Sequence, residues 1–215
     1  MSLRINDTVP DFTAETSLGP ISFHDWIGDS WAILFSHPKD FTPVCTTEFG
    51  AVAQLADEFA KRNTKPIGVS VDGVDEHRQW IGDIESYCSA SVGFPIIADT
   101  DLAVAKAFDM LPAEAYLPDG RTAADSATVR SVFIIGPDKK LKLSMTYPMV
   151  VGRNFSEIMR ALDALQYTQK RGVATPADWV AGEDVIIPPS VSDADAKEKF
   201  GEFETIFPYL RKTGA

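Results

Sequence analysis

Cysteine and histidine are scarce in this sequence. Its 215 residues include two cysteines and three histidines, and none of these lies at the spacing of metal ligands. Two cysteines cannot build a disulfide scaffold, which is typical of proteins of the reducing cytoplasm. We therefore expect no metal and no cofactor, and we expect a cytoplasmic location.

Positive charge and long apolar runs are also lacking. The 20 lysines and arginines are outnumbered by 31 aspartates and glutamates, which gives a net charge of −11 without any basic block. This balance argues against nucleic acid and against an anionic membrane as partners. No run approaches the roughly 18 apolar residues of a membrane span, and residues 1–7 lack the apolar core of a signal peptide. We expect neither a membrane span nor a secretory signal.

The chain does contain enough apolar sequence for a sizeable core. Hydrophobic residues make up 45% of it. Four short segments have the pattern of strands, namely 31–35, 67–71, 129–135 and 141–145. Four longer segments have the pattern of helices, namely 43–62, 75–88, 101–108 and 154–169. A turn over 136–139 joins the last two strands, which predicts a hairpin.

The order of these elements predicts the fold class. Strands that alternate with helices, then a hairpin and a final helix, are typical of an α/β thioredoxin-like fold, with a central mixed sheet flanked by helices. Beyond residue 170 glycine and proline interrupt the pattern, and roughly 45 residues carry too few apolar positions for a separate core. We expect a domain over residues 1–170 and a C-terminal extension arm over residues 171–215. The arm must pack on this domain or, as we expect, on a partner subunit.

The segment 36–48 carries the strongest functional signal. Thr42 is a favourable N-cap and Pro43 suits the first position of a helix, which makes Cys45 the third helical residue. In a first turn the backbone N–H groups are free and the helix dipole is positive, so a thiolate is favoured over a thiol. Apolar residues follow at the period of one helix face, namely Phe49, Val52, Ala56 and Phe59. We therefore expect an inward-facing, redox-active sulfur.

The same segment resembles the peroxiredoxin signature Pro-x-x-x-Thr-x-x-Cys. Pro38, Thr42 and Cys45 occupy its three positions. The arginine that the family places on a distant strand is matched by Arg130, and its auxiliary arginine by Arg153. The likeness covers nearly the whole chain and is greatest to the 1-Cys peroxiredoxins of the peroxiredoxin 6 subfamily. Three further segments carry that likeness, namely Gly28–Trp31, Phe94–Ile97 and Gly136–Leu143.

The resemblance implies a thiol peroxidase that needs no cofactor. Such an enzyme reduces hydrogen peroxide and organic hydroperoxides to water or alcohols through a sulfenic acid on Cys45, and so serves antioxidant defence. Two-cysteine relatives carry a resolving cysteine in a Val-Cys-Pro segment, whereas this chain reads Val173-Ala174-Thr175-Pro176. Cys88 lies on an apolar helical face and is interpreted as packing. An external thiol, glutathione or a thioredoxin-like protein, would then recycle the enzyme, as a homodimer or higher oligomer.

Fast peroxide reduction needs fixed donors where charge develops on the departing oxygen. The Thr42 hydroxyl, the Arg130 guanidinium and the backbone N–H groups of the first helical turn can supply them. Pro38 can shield the pocket from water. These residues and Cys45 are the predicted catalytic set.

Three supporting residues have two interpretations each. Glu48, which extends the family match, can hold the threonine and arginine network, or it can be a first-turn glutamate that the dipole favours. His37 can contact peroxide or a bound ligand, or it can pack at the end of a strand. Arg153 can support Glu48 and Arg130, which the family likeness favours, or it can cap the next helix.

Two rival functions remain open. A redox sensor or a holdase chaperone would use oxidation of Cys45 as a switch and need not turn over. Peroxiredoxin 6 relatives are also associated with a phospholipase activity, whose residues match Ser30, His24 and Asp138. Ala32 breaks the Gly-x-Ser-x-Gly motif, and Ser30 precedes a strand whereas a nucleophile elbow follows one. The peroxidase is therefore the expected function, and the phospholipase is the least favoured.

Overall fold

A mixed sheet organises the first of two structural units, which span residues 1–153 and 154–215. The computed structural model describes residues 3–116 and 127–215. The first unit begins with two short strands that pair with each other, β1 (Thr13–Ala14) and β2 (Ile21–Ser22), and with helix α1 (Phe23–Ile27). These three elements were not predicted from the sequence.

The sheet itself has five strands among the described residues. They are β3 (Trp31–Ser36), β4 (Thr64–Ser70), β5 (Ile96–Ala98), β6 (Arg130–Ile135) and β7 (Leu141–Tyr147). The strand order is β5-β4-β3-β6-β7. Strands β5, β4 and β3 run parallel, whereas β6 pairs antiparallel with β3 and β7 pairs antiparallel with β6. All six residues of the central strand β3 are buried, as its nearly continuous apolar run predicts. The mixed sheet confirms the predicted thioredoxin-like fold class.

Helices connect these strands. They are α2 (Pro43–Gln54), α3 (Ala56–Lys61), α4 (Val74–Cys88), α5 (Ala103–Ala107) and a 3-10 turn at Ala113–Tyr116. The prediction of one helix over 43–62 is wrong, because it breaks at Leu55. The Leu55 amide bonds to the Val52 carbonyl oxygen three residues back at 3.1 Å, which tightens and ends α2. No helix in the described ranges has both the length and the apolar character to cross a membrane.

The core lies on both sides of the sheet. On one side, Ala32 and Leu34 of β3 belong to a buried apolar cluster that includes residues of β4, β6 and α5. On the other side, the ring of Phe35 lies 5.0 Å from that of Phe49 in α2. Phe49 is buried as predicted, whereas Ala56 is exposed because the break at Leu55 interrupts the helical period. Helix α2, which carries Cys45, thus packs through its apolar face.

The second unit, all of which is described, contains regular structure beyond the predicted helix. Its elements are α6 (Phe155–Arg171), β8 (Val185–Ile187), α7 (Asp193–Phe200), β9 (Glu204–Phe207) and β10 (Leu210–Thr213). The strands form an antiparallel sheet in the order β8-β10-β9. Val173, Trp179 and Val185 are buried together in a small core. The division at residue 170 and the docking of residues 171–215 on a partner stay predictions.

Candidate active site

Helix α2 begins after the loop that follows strand β3. Thr42 has an extended backbone (φ −117°, ψ 147°) and Pro43 is the first helical residue, so Cys45 is the third, as predicted. The side chain of Cys45 is completely buried, with 0% exposed. The positive end of the helix dipole therefore acts on a sulfur that is shielded from water.

Thr42 is the N-cap residue by position, but its side chain does not make the capping hydrogen bond that the sequence predicts. Among the described residues its side chain accepts no hydrogen bond from the helix, and its hydroxyl donates to the Lys39 carbonyl oxygen at 2.9 Å. The Thr42 carbonyl oxygen accepts from the amide and the hydroxyl of Thr46, at 3.0 and 2.9 Å. The hydroxyl proton of Thr42 is thus committed to the loop, while its oxygen keeps lone pairs with which it can accept.

Arg130, the first residue of β6, reaches the sulfur of Cys45. Its Nη1 lies 3.3 Å from Sγ and 2.7 Å from Oε2 of Glu48. Its Nε donates to the carbonyl oxygen of Met149 at 2.8 Å, which fixes the direction of the guanidinium. The structure therefore brings the distant arginine of the sequence prediction into contact with the cysteine.

A second arginine, Arg153, also binds the carboxylate of Glu48. Oε1 of Glu48 accepts from the backbone N and Nε of Arg153, at 2.8 and 3.0 Å, and Oε2 accepts from Nη2 at 2.7 Å. Nη1 of Arg153 also donates to the carbonyl oxygens of Ser36 and Ser131, at 2.8 and 3.0 Å. Burial lowers the pKa of Arg153, against the raising effect of Glu48. Glu48 bridges two arginines, which supports the network interpretation of both residues.

We call Cys45, Glu48, Arg130 and Arg153 the Cys45 cluster. Both arginines pair with the single carboxylate of Glu48, and all of these side chains are buried. Two guanidinium groups and one carboxylate give the cluster a net charge of +1 when Cys45 is a neutral thiol. A thiolate at Cys45 would neutralise it, and the low dielectric of a buried site makes this compensation strong. The cluster is therefore suited to hold a buried anion at the position of Sγ.

His37 follows β3 directly and is buried, and so is the next residue, Pro38. Nε2 of His37 lies 2.7 Å from Oδ1 of Asp40, and its ring contacts those of Phe49 and Trp80 at 4.6 and 5.0 Å between centroids. Burial lowers the pKa of His37, against the raising effect of Asp40, and so favours a neutral imidazole. Nδ1 has no hydrogen-bond partner among the described residues. These contacts support the packing interpretation of His37.

Sequence reasoning missed Asp40 and His77. Oδ2 of Asp40 lies 2.6 Å from Nδ1 of His77, and both side chains are buried. Burial tends to raise the pKa of Asp40, but hydrogen bonds with His37 and His77 outweigh this effect and lower that pKa. Asp40 stands inside the signature segment, three residues after His37, which is a signal that could have found it. The contact with His77 spans 37 residues and leaves no local pattern.

The ligand atoms of His37, Asp40 and Asp72 lie within 4.8 Å of one another, a geometry that could hold a metal ion. Their hydrogen bonds compete with that use. Both oxygens of Asp40 face histidines, and Oδ2 of Asp72 accepts from the Asp40 amide and the Ser70 hydroxyl, at 2.9 and 2.8 Å. A metal would have to displace these bonds, so we interpret the group as a hydrogen-bonded cluster.

The three residues matched to a phospholipase each have a different partner. Ser30 Oγ donates to Asn63 Oδ1 at 3.0 Å, and His24 Nε2 lies 3.0 Å from the Val9 carbonyl oxygen. Asp138 pairs with a lysine of β7 at 2.6 Å. Within the described residues no hydrogen bond joins any two of the three. The geometry gives no support to this activity.

A thioredoxin-like sheet, a buried cysteine in the first turn of a helix and an arginine on its sulfur define a class of proteins, the thiol peroxidases. The chain belongs to the AhpC/TSA family, which matches residues 5–144, and the C-terminal domain of 1-Cys peroxiredoxin matches residues 164–202. It is therefore a peroxiredoxin of the 1-Cys type, an oxidoreductase with an antioxidant function.

Relatives match over the full length of the chain. The mitochondrial peroxiredoxin PRX1 of Saccharomyces cerevisiae is 55% identical over 214 residues, which cover 98% of this chain and 80% of the relative. A structure of yeast mitochondrial 1-Cys peroxiredoxin is 53% identical, with a TM-score of 0.89 over 99% of this chain and 100% of that one. A mutant of the peroxiredoxin 6 of Arenicola marina is 45% identical, with a TM-score of 0.91 over 99% and 98%. These matches confirm the predicted family and fold.

Proposed function

We propose that Cys45 is the peroxidatic nucleophile of this enzyme. The observation that carries the proposal is the contact between Nη1 of Arg130 and Sγ of Cys45, at 3.3 Å, at the buried start of α2. The excess positive charge of the Cys45 cluster supports a thiolate at this position. Glu48 and Arg153 support the reaction by holding Arg130 in place.

In the proposed reaction the thiolate attacks one peroxide oxygen, so that an S–O bond forms and the O–O bond breaks. The sulfur is oxidised to a sulfenic acid, and the departing oxygen takes a proton and leaves as water or an alcohol. Arg130 and the first-turn amides donate to the oxygen on which charge develops. Pro38 excludes water. The Thr42 hydroxyl already donates to Lys39, so its oxygen accepts the peroxide O–H and orients the substrate, which revises its predicted role as a donor.

An external thiol completes the proposed cycle. Residues 173–176 contain no cysteine, and Sγ of Cys88 donates to the Ala90 carbonyl oxygen at 3.4 Å. The structure of the yeast relative concerns thiol resolution via the glutathione and thioredoxin systems. By similarity we propose glutathione or a thioredoxin-like protein as the reductant of the sulfenic acid.

The proposed assembly is a homodimer or a higher oligomer. Strand β7 lies at an edge of the described sheet, where the backbone of residues 6 and 7 bonds to Leu141 at its start. An edge strand can pair with a strand of a second copy. In the second unit β9 is exposed along its whole length, and the exposed rings of Phe207 and Tyr209 stack at 5.4 Å. Exposed apolar groups of this kind support the packing of residues 171–215 on a partner subunit. The low cysteine content supports the cytoplasm as the compartment.

A peroxide consumption assay tests the proposed function. Wild type, Cys45→Ser and the matched control Cys88→Ser are compared with glutathione and with a thioredoxin system. We expect Cys45→Ser to lose turnover with an unchanged circular dichroism spectrum, and stoichiometric peroxide to leave a trappable sulfenic acid without an intersubunit disulfide. Turnover by Cys45→Ser would refute the assignment. A single oxidation of wild type without turnover by any reductant would favour the redox sensor or chaperone.

A further inference from the structure

Asp40 connects two histidines inside the protein. Oδ1 lies 2.7 Å from Nε2 of His37, and Oδ2 lies 2.6 Å from Nδ1 of His77. The other ring nitrogen of His77, Nε2, lies 3.1 Å from the carbonyl oxygen of Ile97. We call His37, Asp40 and His77 the Asp40 cluster, and all three side chains are buried. No step of the proposed reaction uses Asp40 or His77.

The geometry determines where most protons of the Asp40 cluster lie. A carbonyl oxygen only accepts, so Nε2 of His77 must carry a proton that it donates to Ile97. The bond between His77 and Asp40 then holds one further proton between nitrogen and carboxyl oxygen. The other oxygen of Asp40 accepts from Nε2 of His37. Every polar atom of the Asp40 side chain is therefore engaged.

The Asp40 cluster anchors the loop before α2. Residues 37–42 form this loop, which carries Pro38 and Thr42. Phe41 has a left-handed backbone (φ +54°), which is unfavourable for an aromatic residue and persists only where the surroundings impose it. At the preceding residue the side chain bonds to His37 and His77, and the backbone N–H donates to Oδ2 of Asp72 at 2.9 Å. Helix α4, through His77, thereby fixes the loop.

We propose that Asp40 and His77 are positioning residues for peroxide reduction. They hold the loop so that Thr42 and the first-turn amides of α2 face the peroxide that Cys45 attacks. The inference rests on the proposed role of Cys45. The Cys45 cluster is held by other contacts, from Met149, Ser36 and Ser131. Loss of the Asp40 cluster should therefore misplace the substrate-facing groups while the thiolate and its arginine stay in place.

Comparison of Asp40→Ala with Asp40→Asn separates the loss of the hydrogen bonds that position the loop from the loss of the negative charge of Asp40. Asparagine keeps all the hydrogen bonds, because its oxygen accepts from His37 and its NH2 group donates to Nδ1 of His77. Alanine removes them. We expect Asp40→Ala to lower kcat/KM for peroxide at least about tenfold, as small misplacements of reacting groups do, and Asp40→Asn to recover most of that loss. Asp75→Ala, at an exposed position on the same helix as His77, is the matched control.

The decisive readout compares the peroxide rate with the titration of the Cys45 thiolate, followed by ultraviolet absorbance in a Cys88→Ser background. We expect Asp40→Ala to slow the reaction while the thiolate titration stays as in the parent. If Asp40→Ala does not fold, His77→Leu breaks the same link and leaves the His37 bond intact. A parental rate in the folded variant, or a loss that the thiolate titration fully explains, would overturn the inference. Turnover by Cys45→Ser would instead overturn the proposed function.

Discussion

Cys45 and Cys88 are both buried, with 0% and 8% of the residue exposed, yet they lie at opposite ends of their helices. Cys45 is in the first turn of α2, where the helix dipole is positive, and Arg130 lies 3.3 Å from its sulfur. Cys88 is the last residue of α4, where the dipole is negative, and its S–H donates to the Ala90 carbonyl oxygen. The helix ends at the two sulfur atoms therefore carry opposite partial charges.

The comparison shows that burial alone does not decide the chemistry of a cysteine. The sulfur of Cys88 donates to a carbonyl oxygen at a helix end, whereas the sulfur of Cys45 lies at a helix start beside a guanidinium. Cys88 lies against the helix that carries Cys45, since Gln54 of α2 donates to the carbonyl oxygen of Cys88 at 2.9 Å. The difference between them arises from helix direction and from one arginine.

Removal of that arginine should have the largest effect. An ordinary thiol with a pKa near 8.5 is about 3% ionised at pH 7, so full ionisation can raise a rate by at most about 30-fold. We expect Arg130→Met to lower the rate of peroxide reduction by about a hundredfold or more, because the guanidinium also stabilises charge on the departing oxygen. The rate against pH is the measurement. The loss should persist above pH 9, and recovery to wild-type rates there would mean that Arg130 acts only through ionisation.

A smaller effect is expected from Glu48→Gln. The substitution removes the negative charge that both arginines share, so the Cys45 cluster gains positive charge but loses the group that directs Arg130. We expect a rate about tenfold lower, because Arg130 is misplaced, with a thiolate fraction no smaller than in wild type. Stopped-flow peroxide kinetics and thiolate absorbance test this pair of results. A thiolate fraction that falls in step with the rate would show that reduced ionisation of Cys45, and not misplacement of Arg130 towards the peroxide, explains the loss.

The Asp40 cluster links the regions of the two cysteines. His37 packs on Phe49 of α2, and His77 belongs to α4. Burial lowers the pKa of His37 in the folded state. At low pH the unfolded chain therefore binds a proton at His37 more readily than the folded protein does. Stability from this source is present above the unfolded pKa, near 6.5, and is lost as the pH falls, by up to about 1.4 kcal/mol per pH unit. The lowered pKa of Asp40 adds a second loss only below about pH 4.

Urea unfolding from pH 7 to pH 5 measures this dependence. We expect His37→Asn to flatten the decline in the free energy of unfolding, whereas His24→Asn, at a part-exposed position outside the Asp40 cluster, should keep it. Equal slopes in wild type and His37→Asn would show that the decline originates elsewhere.

The smallest effect is expected at the second cysteine. Cys88→Ser should change the rate of peroxide reduction by less than about twofold, since Cys88 lies at the end of α4, bonds to Ala90 and takes no part in the proposed reaction. A disulfide between the two cysteines on a non-reducing gel after peroxide treatment would contradict both this prediction and the 1-Cys assignment.

Local pattern was sufficient for several features of the molecule. Thr42 and Pro43 predict where α2 begins, and hence the position of Cys45 in its first turn, because N-terminal preferences depend on adjacent residues. Apolar runs predict three of the five described strands of the central sheet, since a strand covered on both faces is apolar throughout. Alternation of apolar and polar residues predicts a fourth, β7, which is half-buried. The fifth, Ile96–Ala98, is too short for a clear pattern. The family resemblance comes from short matched segments and single residues spread along the chain.

Other features were decided only by the tertiary structure. No local pattern ends α2 at Leu55, directs the Thr42 hydroxyl to Lys39, or joins Asp40 to His77. Sequence reasoning offered Glu48 two roles, and the choice depends on Arg153, which approaches it across 105 residues. Hydrogen bonds and charge pairs of this kind are determined by distance in space. Sequence therefore establishes where the nucleophile and its helix begin, while packing of the sheet against its helices decides which buried groups surround the sulfur.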